Sequence, residues 1–207
     1  MRLLETGERE CALVVLVAFE CYLRPGEAHR LRCCDVVAPV GRAGRAHRYG
    51  SLVLHPAEAL ISSKTREFDE TVLLDLSRQR PLLRALLQHA RNRPPSERLF
   101  TVSQSYVATA FARAGRELKL SSLGAPHMYQ LRHGGGSHDF SSQVRDLAAV
   151  QLRGRWRSAQ SVRRYQKGGR LTQQLRKLPP PLQRHAVRCG ERVYKALSDA
   201  LSVCPAP

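Results

Sequence analysis

Three residue types set the chemistry to look for. Arg132 closes the run YQLR, Trp156 lies in GRW, and Tyr165 follows two arginines in SVRRYQ. A tyrosine can attack phosphorus and carry a covalent intermediate. An arginine presents a planar fork of donors that matches two phosphate oxygens. With a bulky indole donor between them, and on a basic background, these groups suit chemistry on a phosphodiester. Arg24, in LRPGE, is a fourth candidate: it stands at a helix start with Glu27 one turn along the same face. An arginine placed there is expected to be partly buried and to need an anionic partner. Lys64, in ISSKTREF, would sit at a hairpin tip within reach of a bound backbone, with Arg66 as its competitor. Tyr22, Tyr106 and Tyr194 stand in no basic run of this kind.

The bulk composition narrows the partner. The 207 residues carry 34 Lys and Arg against 17 Asp and Glu, a net charge of +17. Between Ser141 and Lys195 there are 14 Lys and Arg against Asp146 and Glu191 alone. Charge segregated in this way favours a polyanion, nucleic acid first and an anionic membrane surface second. Hydrophobic residues make up 43%, enough for one globular core. The six cysteines form no CxxC pair, which argues against a zinc site or a disulfide framework and fits a reducing compartment. No stretch reaches transmembrane length. The apolar run from Cys11 to Phe19 follows an acidic start and does not read as a signal peptide. The expected location is nuclear or cytoplasmic, neither secreted nor in a membrane.

The elements that must position these residues can be read in outline. CALVVLVAFECYL is apolar nearly all round and predicts a buried helix over residues 8–22. Pro25 suits the first turn of the next helix. GRAGRAHRYG reads as a flexible basic loop. SLVLHP and DETVLLDL read as two short strands on either side of the Lys64 hairpin. Amphipathic helices follow over 79–92 and from Ser103 or Ser105 to Leu118. PHMYQLRH restarts as a helix after Pro126, although Gly134, Gly135 and Gly136 weaken it by about 1 kcal/mol each. Three glycines together imply close backbone packing or close approach to a ligand. Helices are also predicted over 142–152 and 158–166, the second ended by Gly168 and Gly169. A last amphipathic helix runs from Pro179 to about Val203, with Val187, Tyr194, Leu197 and Leu201 as its apolar side. The class is mainly α with a small antiparallel β-sheet (α+β) near residues 50–76.

Taken in order, these motifs resemble the catalytic domain of the tyrosine recombinases, the phage-integrase family. LRPGE resembles the family's first-arginine motif, YQLRH its HxxR box, and GRW with SVRRYQ its last two elements. Trp156 and Tyr165 are nine residues apart, the usual family separation. The resemblance runs from about Arg9 to Gln166, and its wording is nearest to eukaryotic retroelement and protist members. It implies a tyrosine-recombinase-like catalytic domain over 1–178, with a C-terminal helix and tail over 179–207. It also implies that the N-terminal domain with which members clamp DNA is absent here.

The resemblance assigns roles as well. Arg24 and Arg132 would hold the non-bridging oxygens of the scissile phosphate. Trp156 would donate from its indole nitrogen, and Lys64 would protonate the leaving 5′ oxygen. Tyr165 would attack, giving a 3′-phosphotyrosine, with its acidity raised by the nearby arginines. Arg155, Arg157, Arg163, Arg164 and Lys167 would contact double-stranded DNA. No metal or cofactor is implied. The C-terminal helix would dock on a neighbouring subunit, giving self-association on DNA. The chain departs from the pattern at Tyr129, where members place a histidine that serves as base. A tyrosine is a poor base at neutral pH. His127 and His133 are near in sequence, but neither fills that position. The expected function is DNA strand cleavage and rejoining in recombination or integration. The alternative is a catalytically degenerate DNA-binding module derived from a mobile element. A type IB topoisomerase shares the tyrosine and arginines. An esterase, suggested by the run HGGG, lacks the G-x-S-x-G elbow it would need.

Overall fold

The computed structural model describes residues 1–57, 69–166 and 168–202. Lys64, Arg66 and Lys167 lie outside the described residues. A short helix α1 (Arg2–Glu5) leads into α2 (Arg9–Glu20), the buried centre of the fold, with Leu13, Val14 and Val17 almost fully enclosed. Helix α3 (Pro25–Arg30) follows, with Pro25 in its first turn and Arg24 at its N-cap. Three strands come next: β1 (Val36–Val37), β2 (Gly50–Leu54) and β3 (Glu70–Leu74). Among the described residues they form one antiparallel sheet in the order β1-β2-β3, with Leu52 opposite Val36 and Val72. The loop read as flexible carries two 3₁₀ turns, Gly41–Ala43 and Arg45–His47.

Helices α4 (Arg80–Ala90) and α5 (Gln104–Glu117) pack their leucine, valine and alanine faces onto α2. Ser103 caps α5 by accepting from the Tyr106 amide. Helix α6 (Tyr129–Ser141) runs through all three glycines. Tertiary packing explains why: a Cβ on Gly135 would lie 2.0 Å from the Phe19 carbonyl oxygen and 2.7 Å from the Tyr22 ring. Gly135 lets α6 press backbone to backbone against α2, and that contact outweighs its low helix propensity.

Asp146 caps α7 (Leu147–Arg153) by accepting from the Ala149 amide. After the single turn α8 (Ala159–Val162), a 3₁₀ turn over Arg163–Gln166 carries Tyr165. Two expectations are corrected here. Gly168 and Gly169, expected only to end the helix before them, open another, α9 (Gly168–Leu175). On the last helix, α10 (Pro180–Ser202), Val187 is exposed while Leu197 is buried. The reason is docking: α10 lies on α4 of its own chain, and the Tyr194 hydroxyl donates to the Glu20 carboxylate. Glu20 also accepts from Gln79 at 2.6 Å. Arg78 bridges Glu20 to Asp139, which takes the Tyr22 hydroxyl at 2.5 Å. This buried polar web ties α2, α6 and α10 together. Among the described residues no helix is long and apolar enough to cross a membrane.

Candidate active site

Four of the residues singled out in the sequence meet at the N-terminal half of α6. Tyr129, at its first turn, packs edge-on against His133, with ring centres 5.0 Å apart. Trp156 stacks on the other side of His133 at 6.1 Å, and the Tyr165 ring meets Trp156 at 5.6 Å. Arg132 lies beneath, its guanidinium carbon 4.7 Å over the indole, in cation–π geometry.

Local backbone features place each group. Arg155 takes a left-handed φ of 54°, which turns the chain sharply after α7. Gly154 lets Trp156 fold back over that turn, since a Cβ there would lie 1.7 Å from the indole ring. The Gly154 and Tyr22 carbonyls both accept from the Arg132 guanidinium. Tyr165 is 5% exposed and packs with Tyr22, Val150 and Val162. Its ring comes within 3.3 Å of where a Cβ on Gly136 would stand. Its hydroxyl meets His133 Nδ1 at 2.8 Å.

Glu27 is the electrostatic hub. Its side chain is fully buried, and it accepts from the Arg24 amide at 2.7 Å, from the Arg24 guanidinium, and from Arg155 at 2.6 Å. Arg132 lies 3.9 Å away. Burial pushes the carboxyl up, but Arg155, the Arg24 amide, Arg24 and Arg132 together hold it below the usual range. The expected anionic partner of Arg24 is therefore Glu27, close to it in sequence. One expectation is corrected here. Arg155, assigned to the DNA face, is turned inward onto Glu27 and Glu70, with only 8% of its side chain exposed. Arg157, Arg163 and Arg164 do lie on the surface.

A second correction concerns the acidity of Tyr165. Arg164 and Arg132 do favour the Tyr165 phenolate, but burial outweighs them and pushes the hydroxyl up to about 12. Burial, with Arg164, Arg132 and His127 nearby, lowers His133 to about 4, so its imidazole is neutral at physiological pH. Arg132 falls to about 10 through burial and the neighbouring Arg155 and Arg24, and still carries its charge.

Glu27, His55 and Glu70 bring potential metal-ligand atoms within 4.8 Å of one another. A dication there would face the guanidiniums already gathered on Glu27, so the donor set suits arginine better than metal. His133 is the site residue that sequence reasoning passed over. The signal was present: it stands four residues after Tyr129, on the same face of one helix.

No protein-family model matches the chain, and no curated protein does. The crystal structure of the XerH site-specific recombinase, bound to its difH substrate in a pre-cleavage complex, superposes with a TM-score of 0.54 at 20% identity. The fold is tyrosine-recombinase-like. The match covers 76% of this chain and 42% of the XerH chain, so the chain spans less than half of that protein. At this identity the likeness establishes the fold, and the site geometry must carry the chemistry.

Proposed function

We propose that the chain cuts and rejoins double-stranded DNA through a covalent 3′-phosphotyrosine at Tyr165. The observation that carries this is the meeting of Tyr165 with Arg132, Trp156 and His133 on a recombinase fold, beside the Arg24–Glu27 pair. The surface arginines 157, 163 and 164 would draw in the phosphate backbone. Arg24, the most exposed of the arginines on Glu27, would take one non-bridging oxygen of the scissile phosphate. Arg132 would supply charge to the other. Lys64 keeps its proposed role as acid for the leaving 5′ oxygen. The enclosed Tyr165 would reach the phosphorus by an outward swing of the 3₁₀ turn that bears it. The biological setting would be site-specific recombination or integration.

A second reading is a DNA-binding module without turnover. Tyr129 in the expected histidine position and the near-complete burial of Tyr165 favour it. Covalent trapping separates the two. The protein is incubated with nicked duplexes of randomised sequence, denatured, and analysed for a protein–DNA adduct. Cleavage requires an adduct from the wild-type chain that Tyr165→Phe lacks, with DNA binding retained in both. Salt-sensitive binding without any adduct would establish the module instead.

A further inference from the structure

We infer that His133 is the general base of the cleavage step, accepting the Tyr165 proton at Nδ1 in place of the histidine that Tyr129 replaces. The inference rests on the proposed cleavage through Tyr165 and names the proton acceptor that cleavage needs. Its first support is the contact itself. The Tyr165 hydroxyl and His133 Nδ1 are 2.8 Å apart, within the range for direct proton transfer.

The direction of the hydrogen bond follows from the imidazole tautomer. Among the described residues, His133 Nδ1 is the hydrogen-bond partner of the hydroxyl. The hydroxyl donates to Nδ1 when the imidazole carries its own proton on Nε2, and general-base action requires that tautomer. The charges around it favour the same state. Arg132 lies on the neighbouring position of α6, His127 just before that helix, and Arg164 on the turn that bears Tyr165. All three oppose a second proton on the ring in the free chain, and the negative charge of a bound phosphate would counter them when the ring takes the Tyr165 proton. Tyr129 meets the ring edge-on, Trp156 stacks on it and Tyr165 lies tilted beside it. The result is a neutral, oriented imidazole on the nucleophile. Tyr129 is 44% exposed and in contact with the His133 ring, so it holds the base rather than acting as one.

In the cleavage step the Tyr165 proton passes to His133 Nδ1 as the tyrosine oxygen bonds to phosphorus. The bond from phosphorus to the 5′ oxygen breaks, and that oxygen takes up a proton from the general acid or from water. On religation the 5′ hydroxyl attacks the phosphotyrosine and gives up its proton to that same acid or to water, and His133 returns its own to the departing Tyr165 oxygen. With Tyr165 raised to about 12, transfer would accompany bond formation rather than precede it.

The test combines two readouts on the full chain. The first is the ¹⁵N spectrum of histidine-labelled protein, with His133 assigned from the loss of its signals in His133→Asn. The inference requires a neutral ring with Nδ1 unprotonated at neutral pH, and a protonated Nδ1 would overturn it. The second is the single-turnover rate of adduct formation on nicked duplexes of randomised sequence. His133→Ala and His133→Asn should each slow the adduct by about 10²–10⁴-fold. The His133→Asn rate should also climb about tenfold per pH unit as hydroxide takes over, while the wild type stays flat above neutrality. A His133→Asn rate within about threefold of wild type would overturn the base, because accepting a hydrogen bond would then suffice. A large loss with the wild-type pH profile retained would mark a packing role and overturn it equally. No adduct from the wild type, as from Tyr165→Phe, would refute cleavage itself and the base with it. The ¹⁵N result reports the proton's position independently of that outcome.

Discussion

Glu27→Gln probes the hub of the site. The substitution keeps the shape and an acceptor for the Arg24 amide but removes the charge that three guanidiniums share. At an effective dielectric of about 20, contacts at the Arg155 and Arg132 distances are each worth roughly 4–6 kcal/mol before desolvation is counted. Much of that repays the burial of Glu27, whose side chain is fully enclosed. Breaking one side of a buried ion cluster nevertheless costs about 3–5 kcal/mol, because the remaining charges stay buried and unpaired. With a urea m-value of about 2 kcal/mol/M, the midpoint should fall by roughly 1.5–2.5 M. Glu97→Gln is the control. Its partner Arg93 holds it at a surface where Glu97 is 43% exposed, so the loss should stay below about 1 kcal/mol. Acidity supplies a second check. The folded Glu27 carboxyl is held below its usual value, so its contribution is complete above about pH 5 and fades as pH falls through the folded value. The gap between wild type and Glu27→Gln should therefore close on acidification. Inorganic phosphate should restore part of the loss in Glu27→Gln by supplying an anion to Arg24, the most exposed of the three. A midpoint shift below about 0.5 M, or a gap that widens in acid, would refute the reasoning.

Two further outcomes are expected beside the Tyr165→Phe and His133 experiments. Gly135→Ala should destabilise by at least about 2 kcal/mol despite alanine's better helix propensity, because its Cβ would meet the Phe19 carbonyl, a backbone atom that cannot yield cheaply. Gly168→Ala meets nothing within 4 Å and should be neutral or stabilising by up to about 1 kcal/mol, so comparable thermal melts for the two would contradict the packing account. Arg163→Ala with Arg164→Ala should weaken DNA binding across sequences and reduce the slope of log affinity against log salt by about 0.9 for each phosphate no longer neutralised. An unchanged slope would place the DNA elsewhere.

Local chemistry was legible in the sequence. Pro25, Ser103 and Asp146 mark helix starts because a fixed φ or a side-chain oxygen satisfies the first turn wherever the helix lies in the fold. The β-branched and leucine runs at 50–54 and 70–74 gave the two longer strands for the same reason. The order of Arg24, Arg132, Trp156 and Tyr165 was on view because residue types and their spacing are read straight from the sequence, and the fold does bring the last three together.

Only tertiary structure decided the rest, since it depends on which distant surfaces meet. Gly135 of α6 looks like a helix breaker until the Phe19 carbonyl of α2 is seen to leave room for nothing larger. Arg155 looks like a DNA contact until its left-handed backbone turns it onto Glu27. The acidity of Tyr165 reverses its expected direction because burial, invisible in a list of neighbouring charges, outweighs Arg164 and Arg132. His133 lies 32 positions from the hydroxyl it touches. A helix face shows where a side chain points, and only the packed chain shows what it meets there.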